Sequence, residues 1–150
     1  MAEVGAALRA YQRAVDAFDD AAAARLGVNR TDLHCLDVLL ERGTTTPGAL
    51  AAALGITTGS VTTMLDRLEA LGYLDRTPDP EDRRRVVVRA TRAAVKAADR
   101  LWGPLAEEGG RLMARYSPAE LGLMLDLLRR ASAIQDAHTR RIRDRAAAID

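Results

Sequence analysis

Five hydroxyl side chains fall within seven positions, at Thr57, Thr58, Ser60, Thr62 and Thr63, and Arg67 follows four residues after the last of them. Their O–H groups can hydrogen-bond phosphate oxygens and base edges, and threonine methyls can touch the methyl of thymine. Small side chains also let a helix sink into a DNA major groove about 12 Å wide. A second group, Arg83, Arg84 and Arg85, follows a Pro-Asp-Pro-Glu-Asp turn, and arginine on a protruding tip suits a narrow, electronegative minor groove. Each group has a plainer explanation, a solvated helix face and a solvated charged loop. Threonine is a mediocre helix former, however, so clustering it on an exposed face costs propensity without structural return. Asp82, beside the arginines, weakens a purely electrostatic phosphate patch, which points instead to orienting an arginine, Arg67 or Arg84, by a charged hydrogen bond.

Catalytic chemistry has less support. His34, Cys35 and Asp37 are close in sequence but point in different directions on a helix, so they do not make a nucleophile and base pair. With two histidines and one cysteine, no pair has metal-ligand spacing, and no glycine-rich phosphate loop is present. The expectation is a protein that is not an enzyme and uses no metal or cofactor. Cys35 reads as a small buried hydrophobe, since no cationic neighbour is evident to lower its pKa.

Helical periodicity, caps and stops supply the elements that hold these residues. Val4, Ala7, Leu8, Tyr11, Val15, Phe18 and Ala22 mark a first helix ending near Leu26 at Gly27. Asn29 can cap a second, carrying Leu33, Leu36, Leu39 and Leu40 and closed by Gly43. After a turn over Thr44 to Thr46, Thr46 and Pro47 open a third helix that Gly55 stops. Thr57 or Thr58 caps a fourth, with Val61, Met64, Leu65, Leu68 and Leu71 inward and the hydroxyl face outward. Tyr73 to Thr77 and Arg85 to Ala90 then read as a hairpin around a turn at Pro78 to Asp82. Two capped helices followed by a hairpin with an arginine-loaded tip make a winged helix-turn-helix.

Thr91 can cap a fifth helix, with Gly103-Pro104 and Gly109-Gly110 suggesting a bend or looseness. Ser117-Pro118-Ala119-Glu120 is a capping box that opens a sixth, along which Leu121, Met124, Leu125, Leu128, Ala131, Gln135, His138 and Ile142 form a stripe. That stripe is long for a surface helix of so small a domain, and with the first helix it reads as an intersubunit bundle; packing within one subunit is the alternative. The fold class is mainly α with a small β-hairpin wing (α+β). A single domain spans 1–150, with a DNA-binding lobe at 29–91 and dimerisation helices at 1–26 and 92–150.

At 150 residues and 48% hydrophobic, the chain can bury one ordinary core. No run is long enough to span a bilayer and no signal peptide is evident, so the expectation is a soluble, cytoplasmic protein with no membrane partner. A net charge of +1 is nearly neutral, but the arginines bunch at residues 83–92 and 129–145.

The segments Met64-Leu65-Asp66-Arg67-Leu68-Glu69, Gly72-Tyr73-Leu74-Asp75-Arg76 and Pro78-Asp79-Pro80-Glu81-Asp82-Arg83-Arg84, followed by Val86, Val88 and Thr91, resemble the multiple antibiotic resistance regulator (MarR) family of bacterial transcription factors, and the resemblance covers nearly the whole chain. Leu50-Ala51 and Leu54-Gly55-Ile56 are similar to the family's supporting helix. Asp82 and Arg84 fill its Asp-x-Arg wing signature, which implies that Arg84 approaches the minor groove while Asp82, with Arg76 at the end of the preceding strand, supports the wing. Two positions depart from the pattern: Ala94, where many members have glycine, and Thr63, where a basic residue is common.

The resemblance implies a homodimer on double-stranded DNA, most often a repressor on a pseudo-palindromic operator. The helix face and the wing tip themselves give the expected DNA-contacting set, Thr57, Thr58, Ser60, Thr62, Thr63, Arg67, Arg83, Arg84 and Arg85. The resemblance also implies response to a small aromatic or phenolic effector in a cleft that Tyr11, His34 and Trp102 would border. The competing expectation is a winged-helix module that binds another protein, for which near-neutral charge is the best support.

Overall fold

Side-chain caps set where the helices begin. The computed structural model describes residues 2–147, and the side chain of Arg145, the last of the basic run, lies outside the described residues. The order is α1 (Ala2–Leu26), α2 (Arg30–Arg42), β1 (Thr44–Thr45), α3 (Pro47–Leu54), α4 (Thr58–Ala70), β2 (Leu74–Pro78), β3 (Val86–Ala90), α5 (Arg92–Met113) and α6 (Pro118–Ala147). Asn29 caps α2 in a full capping box with Asp32. Thr46 caps α3 with Pro47 in the first turn, and Thr57 caps α4. Thr91 Oγ1 accepts the Ala94 N–H at the start of α5. Before α6, Ser117 and Glu120 close their predicted box, with the Glu120 carboxylate accepting from both the hydroxyl and the backbone N–H of Ser117. Those bonds hold the Glu120 carboxyl below its ordinary range. Gly55, at φ 64°, takes the left-handed conformation that ends α3 and turns the chain toward α4.

The wing is larger than a hairpin. Thr44 and Thr45, expected as a turn, form β1 and pair antiparallel with Arg89 and Val88, giving a three-stranded sheet of order β1-β3-β2. Two residues carry no periodicity, so nothing local marks them as a strand. Between β2 and β3 the register runs from Leu74 opposite Ala90 to Pro78 opposite Val86. Pro78 ends its strand, where a missing N–H does no harm.

The chain divides into two compact units at Gly103/Pro104. In the first, the main core joins Cys35, Leu36, Val38 and Leu39 of α2 to Leu50 of α3, Val61, Met64, Leu65 and Leu68 of α4, and Leu74, Val88 and Ala94. A smaller cluster gathers Ala22, Ala23 and Leu33 with Phe18, Leu26, Leu101 and Trp102. There the Phe18 and Trp102 rings meet edge to face at 5.8 Å. The second unit contains the rest of α5 and α6. Helix α5 continues through Pro104 to Met113. Along α6, Met124, Leu125, Leu128 and Ile142 of the expected stripe are exposed, as are Leu123, Leu127 and Ile134 beside it, while Leu121 and Ala131 are partly buried. No single helix among the described residues is long and apolar enough to cross a membrane.

Candidate nucleic-acid interface

Helix α4 divides cleanly into two faces. Val61, Met64, Leu65 and Leu68 are at most 2% exposed, each contributing about 1.5–3 kcal/mol by leaving water. Thr58, Gly59, Ser60, Thr62, Thr63, Asp66 and Arg67 face outward and are exposed. Helices α3 and α4 meet at 109°, within the usual range for a helix-turn-helix.

The hydroxyls on that face are partly committed. Thr57 Oγ1 accepts the Ser60 N–H at 3.2 Å and shares a hydrogen with Ser60 Oγ at 2.9 Å. Thr62 donates to the Thr58 carbonyl at 3.2 Å and Thr63 to that of Gly59 at 3.4 Å. Bonding back to the preceding turn uses the one hydrogen each hydroxyl has. Thr62 and Thr63 therefore offer a lone pair and a methyl rather than a free donor.

Arg67 and Asp82 require a correction. Asp82 orients neither Arg67 nor the Arg84 side chain by a charged bond. Its Oδ1 accepts the Arg84 backbone N–H at 3.1 Å, and its carbonyl accepts the Arg85 N–H at 2.8 Å, so it shapes the turn. The partner of Arg67 is Asp32 of α2, a residue the sequence pattern did not single out. Arg67 Nε donates to Asp32 Oδ2 at 2.8 Å and Nη2 to Oδ1 at 2.5 Å. Asp32 is fully buried while the Arg67 side chain is 42% exposed, and the bonds from Asp32 raise the guanidinium's pKa. Removing one member of a fully buried pair costs about 3–5 kcal/mol, less where one partner reaches solvent as here. Asp32 was hard to find because Arg67 lies 35 residues away; the available signal was an acid completing the Asn29 box beside the apolar Leu33.

Arg76 pairs with Asp66 and approaches Glu69, tying β2 to α4. Arg83, Arg84 and Arg85 are exposed at the tip, and no ion pair among the described residues engages them.

The three residues expected around an effector are not brought together. His34 lines an open hollow of about 420 Å³ with Gln12, Asp16, Asp19, Arg30, Thr31, Asp37, Leu33, Leu54 and Ile56. Tyr11 is 67% exposed and outside it, and Trp102 is committed to Phe18. The periodicity put all three on suitable helices but could not fix where each helix faces. Arg30 crosses to α1, donating to Asp16 and Asp20, with Asp19 at 3.8 Å. Burial and the charge of Asp19 raise the Asp37 carboxyl's pKa, against the opposing pull of His34.

Residues 26–85 match the family model described as MarR family. The chain is 40% identical over 126 residues to the uncharacterized HTH-type transcriptional regulator YcgE of Bacillus subtilis, covering 84% of this chain and 82% of that one. Among solved structures, a MepR mutant from a multidrug resistant S. aureus clinical isolate superposes with a TM-score of 0.70 at 21% identity, covering 87% of this chain and 96% of that one. A mutant MarR from E. coli, complexed with operator DNA, gives 0.58 at 22% identity, over 86% and 93%. The two structures share the fold, and the extended likeness to YcgE, with the family match over residues 26–85, carries the assignment: the chain belongs to the MarR family of transcriptional regulators, not enzymes.

Proposed function

We propose that this regulator binds duplex DNA as a homodimer, α4 entering the major groove and the wing arginines the flanking minor groove, and represses transcription from a pseudo-palindromic operator. The observation that carries the reading is the division of α4, with one face wholly in the core and the other a set of small, exposed polar side chains at its N-terminal end. Thr57 and Ser60 shape the helix start, Thr58 donates to a phosphate or base edge, Thr62 and Thr63 meet base edges through a lone pair and a methyl, and Arg83, Arg84 and Arg85 supply cationic groove contacts. The operator-bound E. coli relative supports the same use of the fold. Two-fold symmetry would place two reading helices on half-sites about one DNA turn apart, with α6's exposed apolar residues as the natural seam.

Effector response belongs to the same reading, with the hollow beside α1 and α2 as its site. Its volume falls within the range of small-molecule pockets. Asp16, Asp19 and Asp37 line it while its arginine is already engaged, which makes a neutral or cationic aromatic a better occupant than a phenolate. The deciding experiment is footprinting on the promoter region of the protein's own gene, at moderate salt with nonspecific competitor. A discrete two-fold footprint is expected; uniform, competitor-sensitive protection would refute sequence-specific regulation.

A further inference from the structure

We infer that the Asp32 and Arg67 pair is a positioning device for DNA reading, fixing the roll of α4 about its own axis, and that neither residue acts by touching DNA. The inference rests on the DNA-reading role proposed for α4. Ser60, Thr63 and Arg67 stand at i, i+3 and i+7, one stripe of the outward face. Whatever fixes Arg67 therefore fixes the azimuth at which Ser60 and Thr63 are presented. The buried side sets which face of α4 turns inward, but apolar contact carries no directional bond to fix the angle further. A two-bond fork between guanidinium and carboxylate is directional.

The fork is also anchored at its base. Asp32 Oδ2 accepts the Asn29 N–H at 3.2 Å, and Asn29 Oδ1 accepts the Asp32 N–H at 2.9 Å. With the carboxylate fully buried, α2 presents a fixed acceptor to which α4 is keyed. A phosphate taking the Nε and Nη2 donors of Arg67 would have to strip that acceptor of its counter-charge inside the core, and whether the Nη1 hydrogens outside the fork reach a phosphate is what the salt slope reads.

The test compares wild type with Asp32→Asn, Arg67→Met, Arg67→Lys and the Asp32→Asn/Arg67→Met double variant, measuring affinity for a selected operator and for random duplex across a salt series, with folding followed by circular dichroism. Each single variant is expected to lose on the order of tenfold or more in operator affinity, about the effect of a mismatched base pair. Random-duplex affinity and the salt slope stay unchanged, and the double variant is no worse than the singles, as for partners in one interaction. Arg67→Lys keeps the charge but not the fork, so it also loses specificity, and it decides the matter should Asp32→Asn not fold. Two results overturn the inference: a salt slope reduced by about 0.9 in Arg67→Met, which marks a phosphate contact, or full operator specificity in Asp32→Asn or Arg67→Lys. If wild type selects no site from random DNA, the DNA-reading role itself fails, an outcome recognisable before any variant is made.

Discussion

Cys35 shows how one side chain's surroundings decide its chemistry. It is fully buried, and burial, aided by the nearby charge of Asp32, pushes its thiol up to about 12. The reactive thiolate is therefore suppressed in the folded protein. Because the folded value is raised above the unfolded value of about 8.5, the neutral thiol's contribution to stability is complete below that value. It is lost as pH rises toward 12. Native protein at about pH 8 should resist an aromatic disulfide reagent and react only on unfolding, and its urea midpoint should fall between about pH 9 and 12, less so in Cys35→Ala. Rapid labelling without denaturant would show the thiol to be accessible. Residue types alone carried this reading of Cys35, and they carried the threonine face of α4. They did not carry Asp32 or the clasp of Arg30 by α1, because the partner of a charge 10 to 35 residues away is set by packing and not by spacing.

At the scale of elements, legibility followed local signals. Asn29, Thr46, Thr57 and Ser117 marked their helix starts because a cap is a contact made within three residues of itself. Strand β1 left no such mark, since two threonines become a strand only when β3 lies alongside. In the wing, the short turn is held by Asp79 and Asp82 accepting backbone N–H groups, which leaves the arginine side chains at the tip out of its internal bonding. Arg84→Ala should therefore fold normally while weakening binding to all duplexes alike, with the salt slope of log affinity smaller by about 0.9 if one phosphate contact is lost. Titration over a salt series reads both; an unchanged affinity and slope would remove Arg84 from the interface.

For the whole molecule, the apolar period of α6 was readable, but its covering was not, because a single sequence does not distinguish a stripe that meets its own chain from one that meets a second copy. Leu125 and Leu128 remain 47% and 50% exposed. If α6 is the seam of the proposed homodimer, a Leu125→Glu/Leu128→Glu variant should shift it toward monomer by at least about tenfold in dissociation constant, since two carboxylates would have to be buried unpaired, and sedimentation equilibrium measures it. A wild type that sediments as a monomer at micromolar concentration would sink the homodimer. The position of the chain's single tryptophan adds an experimental advantage. Trp102, set edge to face against Phe18 just before the division at Gly103/Pro104, makes selectively excited tryptophan emission a label-free optical gauge of the first unit, whereas far-ultraviolet dichroism also weighs the 30 residues of α6. Superimposable melts from the two signals would mean one cooperative machine; separated melts would measure how loosely its halves are coupled.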